Sequence, residues 1–75
     1  MTASSIRLLD PDALLNSRDA AREWMAYDGE GDPLKMLRYK GKGPRFVRLG
    51  YRTVRYRRRD VLEWIAANVT DPGSA

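Results

Sequence analysis

The spacing of apolar side chains changes period twice along this chain, from helical to alternating and back. Ala20, Ala21, Trp24 and Met25 fall on one helical face, with Arg18, Arg22 and Glu23 turned outward. Asn16 stands where an N-cap belongs, and Asp19 adds a charge that suits the helix dipole, so a helix is predicted over residues 17–26. Asp32-Pro33 is a cap-plus-proline start signal for a short helix over residues 33–40, with Leu34 and Leu37 inward and Gly41 at its end. From Arg45 the period becomes two. Val47, Leu49, Val54 and Tyr56 suit the inner face of a hairpin and Arg48, Thr53 and Arg55 the outer face, with Gly50-Tyr51-Arg52 as the turn. Val61, Trp64 and Ile65 return to helical spacing and predict a last helix over residues 58–68, with Leu62 at its edge. Upstream, Asp10 and Pro11 suit a single helical turn over residues 10–15.

The expected order is helix, turn, helix, two-stranded antiparallel wing, helix: an α+β fold, a small winged helix-turn-helix of three helices. A hairpin is not stable alone, so the wing must pack on the helices. Residues 1–7 are expected to be a flexible terminus, 8–69 the domain and 70–75 a tail. Trp24 and Trp64 are assigned to the core rather than to base stacking. At 75 residues, such a domain buries only about 60% of its unfolded surface, so each core side chain counts.

Charge changes the picture. Residues 34–59 carry eleven of the fourteen basic side chains and none of the ten acidic ones. A one-signed segment attracts polyanions. On the second helix, Lys35, Arg38 and Tyr39 are placed opposite Leu34 and Leu37, so that with Met36 they face outward as a helix entering the major groove of double-stranded DNA would require. Lys42, Arg45, Arg48, Tyr51, Arg52 and Arg55 are expected on the wing, where an arginine at the tip can enter a minor groove. Lys40 and Arg57-Arg58-Arg59 are candidate phosphate contacts, the arginines because cations at a helix start oppose the macrodipole unless an anion meets them. The bland alternatives are a solvated basic face, an RNA or another anionic partner. Asp28, Glu30 and Asp32 are expected to point away from a bound phosphate backbone.

The same residues argue against other chemistry. There is no Cys and no His, which removes thiolate sites, the usual general base and the commonest metal ligand. Asp28, Glu30 and Asp32 start like a calcium loop, but Pro33 and Tyr39 stand where glycine and glutamate are needed. Gly41-Lys42-Gly43-Pro44 lacks the Ser or Thr of a P-loop. No catalytic residue, metal or cofactor is expected. No apolar leader and no membrane-length apolar run is present, which predicts a cytoplasmic protein without membrane association.

The string Leu37-Arg38-Tyr39-Lys40-Gly41-Lys42-Gly43-Pro44, with Val47-Arg48-Leu49-Gly50, Val54-Arg55-Tyr56-Arg57, Asp60-Val61 and Trp64-Ile65, resembles the MerR-like winged helix-turn-helix of phage excisionases and AlpA-type regulators. Leu14-Leu15 followed by Ala20-Ala21 resembles that family's opening helix. The resemblance implies a non-catalytic DNA-binding protein of the bacterial cytoplasm and nucleoid. As an excisionase, or recombination directionality factor, it would bind attachment-site DNA as several side-by-side copies, bend it, and direct a phage integrase toward excision. As an AlpA-like regulator it would act at a promoter. The helix starting at Pro33 would enter the major groove, and Gly50-Tyr51-Arg52 would be the wing tip. The family's tight turn between its first two helices is replaced here by a longer one ending in Asp32-Pro33.

Overall fold

The computed structural model describes residues 8–74; the expected flexibility of residues 1–7 lies outside them. The fold is α+β. Its order is β1 (Leu14–Leu15), α1 (Ser17–Trp24), α2 (Pro33–Tyr39), β2 (Val47–Arg48), β3 (Val54–Arg57) and α3 (Arg58–Ala67), followed by a 3-10 turn at Pro72–Ser74.

Local chemistry explains the helix ends. The Asn16 side chain accepts from the Asp19 N–H at 2.8 Å and starts α1. The Asp32 side chain accepts from the Lys35 N–H at 3.1 Å, with Pro33 at the first helical position of α2. Helix α2 closes in a Schellman motif: Gly41 N–H donates to the Arg38 carbonyl at 3.0 Å and Lys42 N–H to the Leu37 carbonyl at 2.8 Å. Gly41 takes the left-handed conformation this requires, at φ +71°. Helix α1 stops at Trp24, short of the expected Ala26, which itself has φ +55° and turns the chain toward α2.

Strand pairing corrects three expectations, for residues 10–15, for the number of strands and for the faces of the hairpin. Residues 10–15 do not form a helical turn. Asp12 N–H donates to the Asp10 side chain at 2.8 Å and Ala13 N–H to the Asp10 carbonyl at 3.0 Å, a tight turn that releases Leu14–Leu15 as a strand. That strand pairs antiparallel with β3, so Leu14-Leu15 is not part of an opening helix. The sheet accordingly has three strands in the order β1-β3-β2, not two. The register also redistributes the faces of the hairpin. Val47 pairs with Arg55, and Arg48 with Val54. Directly paired residues share a face, so Val47, Leu49, Val54 and Tyr56 cannot form one inner face. Tyr56 is buried, Val54 is half-buried, and Leu49 is 60% exposed.

The core is small and central. Ala20 and Ala21 of α1, Leu34 of α2, Tyr56 of β3 and Val61 of α3 are buried, with Leu15, Trp24, Leu37 and Ile65 packed around them. Two alanines on the inner face of α1 let the other elements approach it closely, and α1 touches α2, α3, β1 and β3. Trp24 and Trp64 are half-buried at the margin, the Trp24 indole N–H reaching the Leu8 carbonyl at 3.2 Å.

Candidate nucleic-acid interface

Helix α2 and the β2–β3 hairpin face each other across an open groove of about 630 Å³. From α2 come Lys35, Arg38 and Tyr39. The hairpin supplies Arg48, Tyr51, Arg52, Val54 and Arg55, and the start of α1 adds Asn16 and Ser17. Five cations therefore line one concavity. Among the described residues, none of these five is ion-paired with a carboxylate. Tyr39 and Tyr51 are the exposed aromatics of the groove, at 72% and 87%. Lys35 lies over the Tyr39 ring at 5.7 Å and Arg52 over the Tyr51 ring at 5.4 Å, so each cation is paired with a flat apolar surface while its charge stays available.

Arg38 does not lie opposite Leu34. The two are one helical turn apart and share a face. Arg38 is half-buried, and its Nη1 donates to the hydroxyl of buried Tyr56 at 3.0 Å. That hydroxyl in turn donates to the Leu34 carbonyl at 3.4 Å. The guanidinium stands 5.6 Å from the Phe46 ring centroid and 5.9 Å from that of Tyr39. A guanidinium carries five N–H donors, so the bond to Tyr56 leaves several for a ligand.

The remaining candidates disperse. Met36 is exposed but does not line the groove. Lys40 and Lys42 are exposed beyond the end of α2, where their backbone N–H groups close the helix. Arg45 lies in a separate depression beside Asp60, Glu63 and Trp64. The N-terminus of α3 is already occupied. Arg58 and Arg59 N–H groups donate to the Ala13 and Pro11 carbonyls, each at 3.0 Å. Arg59 is ion-paired with Asp12 at 2.8 Å, and Arg57 with the buried Asp60 carboxylate at 2.9 Å. The hydrogen bond and charge of Asp60 raise the Arg57 pKa above its ordinary value. The Arg58 side chain lines a depression with Leu8, Glu23 and Trp24. The tension of three arginines at a helix start is thus relieved within the protein at two of them, by carboxylates from two directions.

Asp32 departs from expectation. It lines the groove, held there by the Ser17 hydroxyl and the Lys35 N–H, rather than pointing away from it. Phe46 was not singled out by the alternation pattern, yet it is the ring that Arg38 and Arg48 share, at 5.6 and 5.7 Å. Its signal was parity: period two places Phe46 with Arg48, and both then fall on the Tyr56 side of the hairpin. Among the described residues, no cluster of carboxylates could hold a metal ion, and no helix is long and apolar enough to cross a membrane.

Comparison with protein-family models, curated proteins and solved structures finds no match to this chain.

Proposed function

We propose that this protein binds double-stranded DNA as a winged helix-turn-helix, with α2 as the recognition helix and the β2–β3 hairpin as the wing. The observation that carries the reading is the convergence of Lys35, Arg38, Arg48, Arg52 and Arg55 on one groove, free of carboxylate partners among the described residues. Cations left unpaired beside one another repel, and a phosphate backbone removes that repulsion while releasing its own counterions. Exposed Tyr39 and Tyr51 add flat surfaces for sugar or base contact. The motif resemblance takes the proposal further, to a non-catalytic, phage-type excisionase of the bacterial cytoplasm. Several copies would sit side by side on attachment-site DNA, bend it and favour excision by the integrase. Bending a site by tens of degrees costs of order 1–6 kcal/mol, which is more easily met by several small domains than by one.

Selection of sites from a random duplex library, followed by a titration for cooperativity, tests this. Phased direct repeats filled cooperatively are expected. A single isolated site would move the function to an AlpA-like regulator at a promoter. Recovery of no site, with no duplex binding at about 100 mM salt, where non-specific affinity should be near 10⁻⁴–10⁻⁶ M, would refute DNA binding.

A further inference from the structure

We infer that Phe46 is the positioning residue of this interface: one aromatic ring that holds a guanidinium from the helix and another from the hairpin in a fixed relation. The inference rests on the DNA-binding reading above. Arg38 belongs to α2 and Arg48 to β2, and the chain between them contains the Schellman turn and a proline. Within that same stretch lies Phe46, and its ring is where the two long, charged side chains meet. The Arg38 and Arg48 guanidinium carbons lie 5.6 and 5.7 Å from its centroid. The ring is itself located by the buried Tyr56 ring, at 6.1 Å and tilted by 52°. Tyr56 also accepts the Arg38 hydrogen bond, so Arg38 is held both by that bond and by its contact with the Phe46 ring. Phe46 is 38% exposed, so it is a rim residue of the core rather than one of its central members.

Two like charges held against one ring and lining one groove offer two ordered contacts to a polyanion such as a phosphodiester backbone. Ordering both side chains before binding removes a cost that would otherwise fall on the complex. Released together, they would weaken binding roughly tenfold. The platform also couples the reading helix to the hairpin, so that a displacement of one moves the charge of the other.

The test is duplex affinity at fixed salt for the full chain and for Phe46→Leu, Phe46→Tyr, Arg38→Ala/Arg48→Ala, and the triple variant combining Phe46→Leu with both alanines. Phe46→Leu should bind roughly three- to tenfold more weakly, since Arg48 loses its ring while Arg38 keeps its bond to Tyr56. Phe46→Tyr, which keeps the ring, should stay within about twofold of the unaltered chain. Adding Phe46→Leu to the double alanine variant should change nothing, because a residue that acts through two others has no effect once they are gone. Relaxation of the arginine Nε–H groups in the free protein should show Arg38 and Arg48 loosening in Phe46→Leu and not in Phe46→Tyr. An equal loss from Phe46→Leu in both backgrounds would overturn the inference, as would full affinity of Phe46→Leu or unchanged arginine relaxation. If the unaltered chain binds no duplex, the DNA reading fails by that result alone, and the role of Phe46 in recognition falls with it.

Discussion

Replacing Tyr56 by Phe removes one oxygen atom and asks how far the core and the groove are one structure. The ring of Tyr56 is 1% exposed and would keep its packing. Two interactions are lost: the 3.0 Å bond from Arg38 Nη1 and the 3.4 Å bond to the Leu34 carbonyl. The second is long, and that carbonyl also lies within α2, so it adds little. The first involves a charged donor, for which about 1.5–3 kcal/mol is typical in a buried setting. Arg38 is only half-buried, and water can replace the lost partner in part. The expected destabilisation therefore falls below that range, at about 1 kcal/mol, the worth of an ordinary intramolecular hydrogen bond. For a domain of this size that lowers Tm by about 4–8 °C. Thermal unfolding followed by circular dichroism, with urea titrations of Tyr56→Phe, Arg38→Ala and the double variant, measures it. The two single changes should be coupled by about 1 kcal/mol, because each removes the same bond. Additive effects, or a Tm that does not move in Tyr56→Phe, would refute the link between core and groove.

Other substitutions probe the remaining parts. Leu34→Ala empties the centre of the core, where Leu34 is 0% exposed, and should cost about 2–5 kcal/mol by urea denaturation. Against a total stability of roughly 4–11 kcal/mol for a chain this short, that is severe. Gly43→Ala should be worse than Gly41→Ala: both have positive φ, but a Cβ at Gly43 would also meet the Leu37 Cβ at 3.1 Å, whereas Gly41 has nothing within 4 Å. Strain of about 1–2 kcal/mol is expected at Gly41 and more at Gly43, read as a difference in midpoint. If all five groove cations meet phosphates, the logarithm of duplex affinity should fall with that of salt at a slope of about −4 to −5, and Arg52→Ala should reduce the slope by about one. Arg59→Ala, which breaks the pair with Asp12, should leave the slope unchanged.

Local chemistry decides some element boundaries and not others. The Asn16 and Asp32 caps and the Gly41 stop hold because each depends on atoms within a few residues of one another. The Gly50-Tyr51-Arg52 turn is likewise local: Leu49 N–H donates to the Thr53 carbonyl at 2.8 Å across it. The apolar face through Trp24 and Met25 carries the expected helix on to Ala26, yet the Ala26 backbone is turned to φ +55° as the chain leaves for α2. The basic window was legible as a run, but not the division within it between groove cations and those paired around α3.

By itself the sequence determined the helix starts, the position of the hairpin turn and the segregation of charge, since these follow from short-range hydrogen bonds, backbone preferences and composition. Only the tertiary structure decided the rest. Leu14–Leu15 became a strand because β3 offered it an edge more than forty residues along the chain, with Leu14 paired to Arg57 and Leu15 to Tyr56. The hairpin register moved Leu49 to the surface and brought Phe46 beside Tyr56. Arg38 is anchored by a hydroxyl eighteen residues away. Pairing of this kind depends on which distant groups meet when the core closes, and no local pattern records it.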